Sequence, residues 1–167
     1  MEFVEAAIKT LDKTKNRNLK FYIIGGRESL YQKKINELIL ESGYAENIKI
    51  IKESPGAYEY LLMSDFFVCN SYIESFPRVV LEAMAFELPI IATNVYGISE
   101  QIKDGEEGFL IMAGDTGELS RKMQWMIENR VEAQKMAKNA RKRVESDFSF
   151  PVMLKKYETL IKNICAE

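Results

Sequence analysis

Two carboxylates eight residues apart, Glu74 and Glu82, are the side chains best placed by type and spacing to do chemistry. Glu74 stands in a short polar stretch after the apolar run Phe66, Phe67, Val68, Cys69 and the pair Asn70-Ser71. Glu82 falls about one and a half turns into an apolar-periodic segment, residues 77–86. One carboxylate on a loop and another on the following helix can grip the hydroxyls of a single ligand by charge-assisted hydrogen bonds. The amino end of that helix, near Phe76, Pro77, Arg78 and Val79, presents free N–H groups and a positive dipole end, which suits an anion. A sugar held by the acids and a phosphate held by the amides is the combined reading. Two solvated acids at a helix start fit the same residues.

The elements that must position these residues alternate in kind. A second apolar run, residues 88–92, follows the helical segment, so residues 65–94 read as strand, loop, helix and strand. Two parallel strands joined by a right-handed crossover hold ligands beyond their carboxyl ends, where residues 71–77 must lie. Upstream, Phe3, Val4, Ala7, Ile8 and Leu11 recur at helical spacing, and residues 19–24 form a strand run ended by Gly25-Gly26. Ser29 caps a helix that runs to about Ser42 and stops at Gly43. Residues 47–51 are a short strand, and Ser54-Pro55 opens a helix carrying Tyr58, Leu61 and Leu62.

Downstream, Tyr96-Gly97 is a turn before a short helix over residues 99–103, and residues 108–112 are the last strand. Asp115 caps a helix whose Leu119, Met123, Trp125 and Met126 have core spacing. A more polar helix spans residues 131–145. Its Arg141-Lys142-Arg143 cluster reads as a solvated face, with a membrane-surface patch as the alternative. The final helix, within residues 149–167, aligns Met153, Leu154, Tyr157, Leu160, Ile161 and Ile164. Five strands alternating with helices predict an α/β fold: one Rossmann-like domain over residues 1–167, a parallel sheet with helices on both faces.

Composition narrows the chemistry. At 167 residues, with 47% hydrophobic and 29% charged residues, the chain can bury a full core. A net charge of −2 offers no global attraction to nucleic acid. The absence of histidine excludes an imidazole base, a Ser-His triad and a His-bearing zinc site. Cys69 and Cys165 make no metal-ligand spacing and read as free thiols of a reducing compartment. The acidic, helical amino end is unlike a signal peptide and no apolar run is long enough to span a bilayer, so a cytoplasmic location is expected.

At the central stretch the sequence resembles a known family. ESFPRVVLEAMA (residues 74–85), PIIAT, the turn YGISE and the phrase DGEEGFLI are similar to the donor-binding half of retaining glycosyltransferases of family 4, the group 1 glycosyl transferases. The likeness covers about residues 21–150. It implies the C-terminal half of a GT-B fold, two facing Rossmann-like domains of which this one holds the nucleotide-sugar. By matching positions, Glu74 would touch the donor sugar's hydroxyls near the reacting carbon and Glu82 the ribose hydroxyls. The backbone of Ser75, Phe76, Pro77 and Arg78 would line the sugar and phosphate. The resemblance also implies no metal and no cofactor, and a UDP- or GDP-linked hexose as donor. Gly25 and Arg27 as phosphate contacts, Lys52 at the nucleotide base and Gly97 at the donor complete the candidates; surface or turn roles are their alternatives.

Three departures from the family pattern set further expectations. Pro77 stands where the family has glycine, removing one N–H from the site. Glu87 replaces a glycine helix terminator, so the helix must end with strain or otherwise. The family's opening strand, with its diphosphate-binding Arg and Lys, has no counterpart before the first helix. A gap in the sheet is therefore expected, closed by its neighbours or filled by another polypeptide. The acceptor domain is also absent, so the chain is expected to be a fragment or split subunit, inactive alone. Its last helix would face that domain or promote self-association, and the full enzyme could associate peripherally with membranes. A non-catalytic nucleotide-sugar-binding module is the runner-up; an epimerase of the same fold fits less well.

Overall fold

A computed structural model describes residues 1–53 and 56–165. Among them are five strands: Phe21–Gly26 (β1), Ile48–Lys52 (β2), Phe67–Cys69 (β3), Ile90–Thr93 (β4) and Phe109–Ile111 (β5). Eight helices accompany them: Glu2–Thr14 (α1), Leu30–Glu41 (α2), Ala57–Leu62 (α3), Arg78–Ala85 (α4), Ile98–Gln101 (α5), Thr116–Glu128 (α6), Arg130–Asp147 (α7) and Phe150–Cys165 (α8). The expected start of α3 at Ser54-Pro55 lies outside the described residues.

Local chemistry accounts for most boundaries. Ser29 Oγ accepts the Gln32 N–H at 3.0 Å, and Asp115 Oδ1 accepts the Glu118 N–H at 2.8 Å, so α2 and α6 have the caps the sequence predicts. Gly43 follows α2 at φ +73°, a left-handed conformation open to glycine. Glu87 also sits in the left-handed region, at φ +53°. Its N–H donates to the Met84 carbonyl at 3.1 Å and the Leu88 N–H to that of Ala83 at 3.0 Å. This is the Schellman arrangement, here closed by a residue with a side chain.

All pairings are parallel, and the five strands fall into two groups, β1–β2 and β3–β4–β5. The expected gap is present between β1 and β3, and its neighbours have not closed it. β4 is buried along its whole length. Its side chains alternate between two cores, Ile91 facing one while Ile90 and Ala92 face the other. The first core joins α1, α2, β1, β2 and α6 through Val4, Leu11, Phe21, Ile39, Ile48 and Met123. The second joins α4, α5 and α7 through Val80, Met84, Ile98, Ile102 and Ala140. Met123 and Met126 are buried, and Trp125 packs edge-on against Phe109 with centroids 4.9 Å apart.

The Arg141-Lys142-Arg143 face differs from expectation at two positions. The Arg143 side chain is only 17% exposed and pairs with Glu107, 8% exposed, at 2.9 Å. It also donates to the Glu100 carbonyl at 2.8 Å, while Arg141 donates to the Ala85 carbonyl. These arginines clamp α7 onto the ends of α4 and α5 because their long side chains reach carbonyls that the helix ends leave unpaired. α8 packs differently: none of its residues is buried, and Phe150, Met153, Leu154, Tyr157, Leu160, Ile161 and Ile164 are exposed. Among the described residues no helix is long and apolar enough to cross a membrane.

A non-glycine residue in the left-handed region carries strain of about 1–2 kcal/mol. Glu87→Gly therefore raises the unfolding free energy by roughly 0.5–1 kcal/mol, after allowing for the added freedom of the unfolded chain. Urea denaturation of the two proteins measures the difference.

Candidate functional site

Residues 71–77 leave the carboxyl end of β3 and enter α4, and they are pinned from below by three elements. Thr93 Oγ1, at the end of β4, donates to the Ser71 carbonyl at 2.6 Å. The Gly97 N–H donates to the Glu74 carbonyl at 3.3 Å. The amide of Gln101, wholly buried, donates to the Pro77 carbonyl at 3.1 Å. The Phe76 ring packs edge-on against Phe148 at 5.5 Å. A loop without a ladder thus satisfies its backbone through neighbouring side chains and one close backbone approach.

Glu74 accepts a hydrogen bond from Ser71 Oγ at 3.0 Å. Glu82 lies one turn into α4, where Tyr58 Oη donates to it at 3.2 Å and Arg78 Nη2 at 3.4 Å. The Glu82 side chain is 26% exposed and that of Arg78 is 85% exposed. A pair of this kind is worth about 0–1 kcal/mol, so a ligand hydroxyl can replace it. Both glutamates line one cleft of about 1390 Å³, together with Tyr58 and Val79. Pro77 is the N-cap of α4, and no side chain caps the helix. The amino end of α4 opens beside the two acids with its first-turn amides uncapped by side chains, the arrangement expected for an anion next to a polyol.

The other predicted residues are distributed differently. Gly25, at φ +95°, and Lys52 end β1 and β2. Arg27 is tied to Glu53 by two hydrogen bonds, at 3.0 and 3.2 Å, on an exposed surface. Ser75, Phe76 and Pro77 lead from Glu74 to Arg78, the first residue of α4, and of this stretch it is Glu74, Val79 and Glu82 that line the cleft. Gly97 is under the loop: a Cβ added there would fall 1.6 Å from the Ser75 carbonyl oxygen. Its φ of −67° is open to any residue, so space and not backbone freedom demands glycine.

Sequence reasoning missed Tyr58, Ser71, Thr93 and Gln101 as supports. Tyr58 reads only as part of a helical apolar spacing, and no spacing rule links it to a glutamate 24 residues away. Burial pushes the Cys69 thiol above its ordinary pKa, which keeps it protonated and unsuited to act as a nucleophile.

The chain is similar in sequence and fold to known proteins. The family described as "Glycosyl transferases group 1" matches residues 2–143. The capsular polysaccharide biosynthesis glycosyltransferase CapM of Staphylococcus aureus is 29% identical over 159 residues, 92% of this chain and 40% of CapM. This chain therefore spans well under half the length of that relative. The solved C-terminal domain of a glycosyl transferase group 1 family protein, LpcC of Francisella tularensis, superposes with a TM-score of 0.80 at 28% identity. That match covers 89% of this chain and 78% of the domain. Anabaena Alr3699/HepE, solved with UDP, has a TM-score of 0.84 at 22% identity, covering 96% of this chain and 44% of HepE.

Two outcomes follow from this geometry. Gly97→Ala forces the Ser75 carbonyl aside and lowers stability by about 1–3 kcal/mol, with amide shifts concentrated in residues 71–77; thermal denaturation and NMR read both. Tyr72 Oη donates to Glu2 at 2.6 Å and holds that carboxyl below its usual pKa. The resulting stability is present above the ordinary carboxylate range and is lost as pH falls through the lowered value. Tyr72→Phe should therefore destabilise the protein more at pH 7 than at pH 3, as chemical denaturation at the two pH values would show.

Proposed function

This chain belongs to the group 1 glycosyl transferases, and from that membership we propose that it is the donor-binding domain of a retaining glycosyltransferase. Its ligand is a nucleotide-sugar, UDP- or GDP-linked. The reaction transfers a hexose to a saccharide or lipid-linked acceptor. The main support is the convergence of Glu74, Glu82 and the amino end of α4 on one cleft at the carboxyl ends of parallel strands. Catalysis belongs to a longer or two-chain protein, in keeping with the 40% of CapM that this chain spans. The exposed apolar face of α8 suits packing against the acceptor half.

In this mechanism Glu74 accepts hydrogen bonds from the donor sugar and orients its anomeric carbon. Glu82 exchanges Tyr58 and Arg78 for the ribose hydroxyls, and Arg78 is released towards the phosphates. The acceptor hydroxyl attacks the anomeric carbon from the face the nucleoside diphosphate leaves, and a leaving phosphate oxygen takes its proton. The protein contributes orientation and charge stabilisation.

Calorimetric titration with UDP, GDP and their hexose conjugates tests the assignment. One nucleotide binds, and Glu82→Ala weakens it by about 10–100-fold, the value of two hydrogen bonds to a charged group. A folded sample that binds neither nucleotide, or a Glu82→Ala protein of unchanged affinity, overturns the assignment.

A further inference from the structure

Gln101 is wholly buried at the end of α5, in a stretch whose Ile98 and Ile102 belong to the second core. Its Nε2 donates to the Pro77 carbonyl at 3.1 Å, and its Oε1 is buried with no hydrogen-bond partner among the described residues. A buried polar atom without a partner lowers stability, so an amide at this position needs a reason. Satisfying the backbone is not that reason. The Pro77 carbonyl already accepts the Val80 N–H at 3.2 Å and would stay paired beside an apolar residue. Methionine or leucine would fill nearly the same volume and leave no oxygen unpaired.

The geometry of one peptide supplies the reason. Among the described residues every peptide bond is trans, so the Pro77 C=O and the Arg78 N–H lie in one plane and point in opposite directions. Drawing the carbonyl towards a buried amide turns the Arg78 N–H outwards, to the amino end of α4, where no side chain caps the helix. A single bond at 3.2 Å, the long end of the usual range, leaves that plane free to tilt, and a second bond fixes it. Gln101 is itself held, because Arg143 donates to the neighbouring Glu100 carbonyl at 2.8 Å and pairs with Glu107 at 2.9 Å. The Ser71 and Glu74 carbonyls are held by Thr93 and Gly97, which leaves Pro77–Arg78 as the peptide that Gln101 controls.

We propose, on the donor-site reading above, that Gln101 is a positioning residue for the donor's phosphates, fixing the direction of the Arg78 N–H through the Pro77 carbonyl. Gln101 is buried and touches no ligand, so it acts only through this peptide. An N–H aimed in advance at the anion adds to its binding, and one free to turn must first be ordered. An apolar residue at position 101 therefore keeps the fold and weakens the hold on phosphate. Stability and affinity then separate, whereas loss of a purely structural residue lowers both together.

Gln101→Met tests this in the chain of residues 1–167, with Gln101→Leu as a second apolar variant. Thermal unfolding gives a midpoint equal to or above that of the parent. Residual dipolar couplings, measured by NMR without ligand, report the direction of each N–H. That of Arg78 changes, while those of Tyr72, Ser75 and residues 90–93 do not. Calorimetry shows UDP or GDP, whichever the parent binds, weakened about threefold to tenfold, the value of one misdirected hydrogen bond. NMR titration shows the matching nucleoside, uridine or guanosine, bound as before. An unchanged Arg78 coupling overturns the proposal, as does an unchanged affinity for the nucleotide or an equal loss for nucleotide and nucleoside. If neither apolar variant folds, the amide serves the fold and the proposal falls. A parent chain that binds neither nucleotide overturns the donor-site reading instead, and the role of Gln101 then stands or falls on the Arg78 coupling.

Discussion

The burial of β4 on both faces is the constraint on which the rest depends. A strand enclosed on both sides can keep a polar side chain only where it finds a partner; in Ile90–Thr93 the first three residues are apolar and the buried Thr93 hydroxyl donates to the Ser71 carbonyl. Because its side chains alternate, it divides the interior into two cores, one gathered by α1 and α6 and the other by α4 and α7. Its last residue, Thr93, is the first support of the loop that carries Glu74. A shift in β4 would move both cores and the candidate site together.

Charge is used in two ways. Arg143 and Glu107 form a largely buried pair with further bonds to the Glu100 carbonyl and the Lys103 N–H. Removing one partner of such a pair leaves a buried charge, at a cost on the order of 3–5 kcal/mol. Arg78 is open to water and its partner Glu82 lines the cleft, so the pair loses little on separating. The frame is held by interactions that are costly to break. The ligand-facing pair is held by one that a hydroxyl or phosphate can replace.

Among the described residues, the facing edges of β1 and β3 are not paired with each other and the apolar face of α8 is exposed. They differ physically. The first are edges of backbone N–H and C=O groups; the second presents side chains at helical spacing.

Much of the fold was legible because its signals are local. Apolar runs near Phe21, Ile48, Phe67, Ile90 and Phe109, caps at Ser29 and Asp115, and the stop at Gly43 depend on neighbours within a few residues. The spacing of Glu74 and Glu82 about a helix start was legible for the same reason. The clamps made by Arg141 and Arg143, and the supports Tyr58, Thr93 and Gln101, were not. Each depends on groups brought together across the chain, such as Gln101 and Pro77 or Arg143 and Glu107. Gly97 shows the difference best: in sequence it is a turn residue, and in space it is the one residue thin enough to pass beneath the Ser75 carbonyl. By itself, then, the sequence determined which segments are strands and helices and which side chains meet a helix start, since period and capping are local. Tertiary structure alone decided what holds that loop in place and which arginines clamp the helix ends, since packing joins residues far apart in the chain.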